Sequence, residues 1–447
     1  MDQRWQLVKV WASAPDDNSK AAGRKLAASA AIWSDTGCEA DLVWGSCQGS
    51  GKNPYRVRVD TSGPRYKCSC PSRKFPCKHA LGLLTLWAEH RLPSDTGAVT
   101  ARPDDAAAWA AAPAQKAKAA RADAAPTPEQ AAQAAARLEQ REQRVSDGMA
   151  ELERWLRDQL DTGLARAWND PAAHFEAAAS RMVDAQAPGV AQTLRGLVPV
   201  AVSGEGWVGR ILEEYALLHL AARAWERRAE LPADLCQTVR RVVGLTTAAK
   251  DVAAGEGRRG LWLVAGLRDI EDGKLCSRRV WLHALDPADD RPWASVVTHT
   301  VRGQAPDNSL APGTVVDAVL HRYPGSGNHR AHISQRFSET QASQVPGWQP
   351  PTSSFQELVA GHRDLLTGDP WAQVSPAAAR IRTVHRDGHG WRGADDAGDQ
   401  VSLLGGELDL WRLHGLLAGQ PGVVLGEWDA TGLRPAGLVT ASGLELL

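Results

Sequence analysis

The sequence predicts an α+β, multidomain chain: an N-terminal ββα metal-binding module, a helical middle domain and an antiparallel β-rich C-terminal half. Three observations carry this reading. Three cysteines and a histidine crowd between positions 68 and 79. An apolar period of three to four residues begins near Pro128, and it gives way to a period of two after Gly260.

At 447 residues the chain is too long for one compact domain and should hold two to four. Its 43% hydrophobic content suffices for real cores, which excludes a chain disordered throughout. The longest uncharged apolar run, Ala80 to Ala88, is far short of the roughly 20 residues needed to cross a bilayer. The start, MDQRWQLVKV, lacks the apolar stretch of a signal peptide. The expectation is a soluble, cytoplasmic protein with no membrane contact. Seven cysteines, an odd number with three in ten positions, do not suit a secreted disulfide framework and point to metal ligands. With 18 Trp against 4 Phe and 4 Tyr, tryptophan takes over packing that phenylalanine does elsewhere.

Along the chain, residues 1–92 form the first domain, with its core at 40–90. There LVWGSC and YRVRVD read as two strands joined by a Gly-rich turn, so that a hairpin delivers the first ligands to the helix KHALGLLTLWA. Residues 93–135 are rich in Ala and Pro, with Trp109 as the only large apolar side chain, and read as a linker. In the helical domain, 136–250, Leu138, Val145, Met149, Leu152, Leu156 and Leu160 recur at helical spacing. Further helices are expected over Pro171–Ala187, Gly206–Arg228 and Pro232–Leu245, the second of them buried on most of its circumference. An antiparallel β domain at 256–344 follows in LWLVAGLRD, RRVWLHALD, ASVVTHTV, TVVDAVLHRY and HRAHISQ. A joint at 345–375 carries the short helix FQELVAGHRDLL. The C-terminal domain, 376–447, is read as mainly β, and the two β segments could be related domains.

The chemistry lies in CSCPSRKFPCKHALGLL. Cys68-x-Cys70 and Cys77-x-His79 supply three thiolates and one imidazole, a set that suits one tetrahedral zinc ion and leaves no position for water. That is a structural rather than a catalytic arrangement. Residues i and i+2 of extended chain share a face, so Cys68 and Cys70 can approach together, while Pro76 holds Phe75 out of helix before the second pair. After it Leu81, Leu84 and Ala88, beside Leu83 and Trp87, form a packing face.

These residues resemble the SWIM zinc finger, whose signature is C-x-C followed by C-x-H. The match extends into WGSCQGSGKNPYRVRVD, and the helical segment RMVDAQAPGVA is similar to the middle region of bacterial SWIM zinc finger proteins. The resemblance implies that Cys68, Cys70, Cys77 and His79 bind one Zn(II) in a ββα frame. It further implies DNA binding or protein contact, and an adaptor role beside a MoxR-type AAA ATPase and a von Willebrand factor A protein.

Residues 1–100 carry 14 basic against 9 acidic side chains, and residues 51–80 hold the one dense basic patch. Arg56, Arg58, Arg65, Lys67, Arg73 and Lys74 are therefore candidate contacts to nucleic-acid phosphates, with Arg56 and Arg58 expected on the solvent side of their strand. The alternative is a solvated face that offsets the negative ligand set. GSGK at Gly49–Lys52 fails as a phosphate loop because Asn53 stands where Ser or Thr is required and a strand follows. Cys38, Cys47, Cys236 and Cys276 are expected to pack as small apolar groups. His321, His329, His332, His385 and His389 are expected on the surface. No catalytic motif is visible, so the expectation is a non-enzymatic binding protein; an enzyme with a site in the C-terminal half is the remaining alternative.

Overall fold

In the computed structural model the described residues are 4–5, 7–15, 17–39, 42–49, 53–61, 65–72, 74, 76–92, 128–272, 275–301, 306–345, 349–440 and 443–447. Arg73 and positions 93–127 of the expected linker lie outside them.

The first domain begins with helices α1 (Leu7–Ala12) and α2 (Asp17–Ala27). Strands β1 (Trp33–Glu39), β2 (Leu42–Cys47), β3 (Tyr55–Asp60) and β4 (Arg65–Cys68) follow, and α3 (Lys78–Ala88) closes it. The strands pair antiparallel in chain order. The expected ββα unit is thus the centre of a larger module whose two leading helices the sequence reading did not contain. Helix α1 is apolar but only six residues long, and α2 has little apolar content and is seated by glycine instead. A Cβ on Gly23 would lie 2.7 Å from Leu81 Cβ, and one on Gly82 would meet Leu26 and Trp33 at 3.1 Å, so the two helices cross at close range. Sandwiched between α1, α2 and the sheet, α3 is buried at every position from His79 to Trp87 rather than along one face.

The middle domain comprises α4 (Pro128–Thr162), α5 (Ala165–Asn169), α6 (Pro171–Asp184), α7 (Pro188–Ala201), α8 (Trp207–Glu226) and α9 (Ala233–Val243). Helix α4 starts within the stretch read as linker. Val145, Met149, Leu152 and Leu156 enter the core, but Leu138 and Leu160 at its two ends are exposed. The helix expected to run to Ala187 stops at Asp184, because Gln186 adopts φ 61° and turns the chain into α7, whose first residue is Pro188. Helix α8 buries Ile211, Tyr215, Leu218, Ala221, Ala222 and Trp225, whereas Val208, Leu212 and Leu220 face outward. It is buried on one face, not most of its circumference; its high apolar content had obscured that.

Five antiparallel strands follow the short α10 (Ala249–Ala253): β5 (Arg258–Asp272), β6 (Leu275–Ala284), β7 (Trp293–Val301), β8 (Thr314–Arg322) and β9 (Ala331–Gln341), in the order β7-β6-β5-β8-β9. Helix α11 (Phe355–Gly368) leads to β10 (Ser375–Ile381), β11 (Thr383–Asp387), β12 (Gly390–Ala394) and β13 (Gln400–Ser402). After α12 (Glu407–Leu417) come β14 (Gly422–Asp429), β15 (Gly432–Thr440) and β16 (Gly443–Leu446). These make a four-stranded sheet, β10-β14-β15-β16, and a three-stranded one, β11-β12-β13. The two β segments therefore differ in strand number and order. Helix α12 was not expected; Leu410, Leu413 and Leu417 at i, i+3 and i+7 are its buried face, and Glu407 and Asp409 favour its first turn.

The two β domains share a core of Leu263, Trp281, Val315, Ala378, Val423 and Leu425. Beside it the buried Glu427 carboxylate accepts from Arg268 at 2.8 Å, Arg279 at 2.9 Å and the Trp281 indole at 3.0 Å, so this buried charge is paired from three sides. His321 departs from the expected surface placement: it is 7% exposed, with its ring nitrogens 3.2 Å from the Gly255 carbonyl and 2.9 Å from Ser334 Oγ. His329 is half-buried, and burial pushes its pKa down to about 4. His332 and His385 are half-buried, and only His389 is fully exposed. Among the described residues no helix is long and apolar enough to cross a membrane.

Candidate metal centre

The first ligand arrives on β4, the fourth strand of the module, and not directly from the hairpin of β2 and β3. Val57 pairs with Cys68 at the end of β4, where the chain leaves the sheet. Ser69, between the two cysteines, is tied back to β3: its backbone N–H donates to the Arg56 carbonyl at 3.0 Å, and its hydroxyl accepts from the Arg56 N–H at 2.9 Å. Two bonds thus fix the bend that turns Cys68 and Cys70 to the same side. The second pair comes from the start of α3, with Cys77 at the N-cap and His79 one position inside the first turn.

The four donor atoms of Cys68, Cys70, Cys77 and His79 all lie within 4.8 Å of one another. His79 Nδ1 sits 3.8 Å from Cys68 Sγ and 4.0 Å from Cys77 Sγ. A tetrahedral zinc with Zn–S of about 2.3 Å and Zn–N of about 2.0–2.1 Å places neighbouring donors about 3.6–3.8 Å apart, so a contraction of at most about an ångström closes the site. Donor type, donor number and spacing all fit one Zn(II). The Cys68–His79 constellation read from the sequence is brought together in full.

Electrostatics match. A hydrogen bond from the Cys68 thiol, followed by smaller contributions that include His79, holds the Cys77 thiol down to about 4, although burial opposes this. The same shared proton pushes Cys68 up, and burial raises Cys70. Completing the set requires protons to leave these two thiols, which makes zinc uptake more favourable as pH rises.

Two supporting residues were not read from the sequence as parts of the site. The Tyr55 ring packs on the His79 imidazole, with centroids 4.7 Å apart, and holds its plane. Gly49 permits this, since a Cβ there would lie 2.6 Å from the Tyr55 ring. The glycine of the apparent phosphate loop therefore serves a packing role, and β3 follows where a phosphate loop would need a helix. Cys47 is fully buried behind the site, and burial pushes its pKa up to about 11, as expected of a packing cysteine rather than a ligand. A cleft of about 510 Å³ opens beside the ligands, lined by Asn18, Ser19, Gln48, Tyr55, Lys78 and His79 among others.

The basic patch is less uniform than its sequence suggests. Arg56, Lys67 and Lys74 are exposed. Arg58, expected on the solvent side, is only 6% exposed, because the outer face of β2 and β3 also buries Leu42, Trp44 and Asp60. Arg65 is engaged by the Asp60 carboxylate at 2.7 Å. Strand alternation placed Arg56 and Arg58 on one face correctly but could not reveal that this face is covered at Arg58.

Comparison with known families gives two matches. Residues 55–88 match the SWIM zinc finger, and residues 140–243 match the SWIM-associated four-helix bundle domain. No curated protein and no solved structure matches the chain. The first match spans β3, β4, both ligand pairs and α3; the second spans the bundle from within α4 to the end of α9.

Proposed function

We propose that this chain, which carries a SWIM zinc finger ahead of a SWIM-associated four-helix bundle, is a non-enzymatic binding component that joins proteins to one another. The observation that carries the reading is the closed ligand set: four protein donors within 4.8 Å satisfy the ion and leave it no substrate position. Zinc then shapes a surface and performs no chemistry. The partners suggested by the family resemblance are a MoxR-type AAA ATPase and a von Willebrand factor A protein, met in the cytoplasm.

Nucleic-acid binding is the second reading, favoured by the exposed Arg56, Lys67 and Lys74 around the zinc site. The burial of Arg58 and the pairing of Arg65 reduce the cations that could meet phosphates, and so weigh toward protein contact. Reversing Arg56, Lys67 and Lys74 to Glu discriminates. If these side chains neutralise phosphates, the slope of log affinity against log salt on duplex DNA should flatten by about 0.9 per lost contact. The adaptor reading expects no such slope in the wild type, and expects association with the two partners that survives nuclease and high salt. Loss of that association on nuclease treatment would overturn it.

A further inference from the structure

Strand β4 is the edge of its sheet, paired on one side to β3. It carries Cys68 of the metal site and, two residues earlier, Tyr66. Residues at that spacing share a face of a strand. Tyr66 lies where the zinc module meets the first β domain, its hydroxyl buried near Ser13, just after α1, and near Asn308, in the segment before β8. Asn308 is 1% exposed, and its side-chain amide donates to the Lys9 carbonyl at 3.4 Å. Lys9, on α1, forms an ion pair with Glu339 of β9 at 3.5 Å. Arg278 steadies the receiving segment, donating to the Asp307 carbonyl at 3.2 Å while its other nitrogens grip Asp269.

This junction is built to hold and also to release. Its polar contacts are long, and among the described residues neither the Tyr66 hydroxyl nor Asn308 Oδ1 has a hydrogen-bond partner, so closing it does not satisfy every buried group. Its position depends on β4, which is held by the ladder of four residues to β3, by the packing of the partly buried Tyr66 and Cys68 on the core around α3, and by the ligation of Cys68 together with Cys77 and His79. We propose that zinc occupancy controls docking of the N-terminal module onto the first β domain, with β4 as the shared element: ligation pins β4 and seats Tyr66, and loss of the ion frees the strand edge and lets the module separate. The inference rests on the metal site and not on the identity of any partner.

The test uses the full-length protein and a zero-length carbodiimide cross-link between Lys9 and Glu339, identified by mass spectrometry. The zinc-loaded chain should give the link. Stripping with a chelator should lower its yield by about fivefold or more, the lower end of the range for coupled sites, and readdition of zinc should restore it. Coupling is reciprocal in binding free energy, so Asn308→Ala combined with Glu339→Lys should weaken the zinc affinity measured at equilibrium against a competing chelator, although both residues are remote from the ligands. Tyr66→Ala should lower the cross-link while zinc content stays at one per chain. An undiminished link in the stripped protein, or unchanged zinc affinity in the docking variant, overturns the proposal.

Discussion

The zinc module and the helical bundle solve the same packing problem with different means. The bundle closes one continuous core, from Val145 on α4 through Phe175, Leu194 and Ile211 to Val243 on α9, with Trp371 from the C-terminal half packed against it. The module has a core of its own around α3, with Leu81, Leu83, Leu84, Leu86 and Trp87 buried. Between Arg65 and Cys70 that core is met only by the partly buried Tyr66, Cys68 and Cys70, while Lys67 and Ser69 are exposed. Where apolar burial thins to partly covered side chains, four ligands add to it. The difference teaches that metal dependence here is local: it belongs to β4 and the bend after it, not to the chain as a whole.

The sharpest way to break this comparison is to remove the ion. Cys77→Ser or a strong chelator should abolish stoichiometric zinc and strip hydrogen-exchange protection from residues 65–77, while residues 140–243 stay protected. Structural zinc contributes about 10–16 kcal/mol in finger peptides that have no other core. The effect here should be smaller, because α3 keeps its own packing. Loss of protection across the bundle as well would show that the two regions are not independent.

The converse experiment disturbs the bundle and spares the metal. Phe175 is fully buried on α6, and Phe175→Ala should destabilise the bundle by about 3–5 kcal/mol through lost burial and the cavity left behind. Denaturant unfolding should show the shift, and metal analysis should still find one zinc per chain. A fall in zinc content would contradict the division drawn above.

How far each region could be read from sequence follows the same divide. The ligand spacing encodes its own geometry, so Cys68, Cys70, Cys77 and His79 were legible with the hairpin of β2 and β3, whereas β4, the four-residue strand that carries Cys68, was not. Zinc binding by this set is therefore firmly grounded in both sequence and structure. The bundle and the five-stranded sheet were legible through periodicity, which survives in sequences such as RRVWLHALD. What was not legible depends on contacts distant in sequence. Helix α2 is seated by Gly23 against Leu81, and α12 by three leucines spaced among the polar residues of a segment bounded by strands. Arg58 looks solvated by alternation alone, yet the outer face of its sheet is covered there. His321 looks like one of several surface histidines, yet hydrogen bonds to Gly255 and Ser334 let it be buried.

The smallest expected effect compares two helix starts. Helix α3 begins at Cys77, whose side chain makes no capping hydrogen bond and is committed to the metal site. Helix α11 begins at Ser354 with a full capping box: Ser354 Oγ accepts from the Glu357 N–H at 3.2 Å, and the Glu357 carboxylate accepts from the Ser354 N–H at 2.7 Å. Removing half of that exchange leaves an orphan donor at an exposed helix end, where water can partly replace the lost acceptor. Ser354→Ala should therefore cost only about 1 kcal/mol, and Ser354→Asp should recover most of it because a carboxylate caps as well and favours the helix N-terminus. Thermal unfolding of the C-terminal half, followed in both variants, checks the order. If Ser354→Ala costs as much as Phe175→Ala, the cap is supporting more than one helix end: Phe355, the residue after it, donates from its backbone N–H to the buried Asp395 at 3.1 Å, and that bond would have to be lost as well.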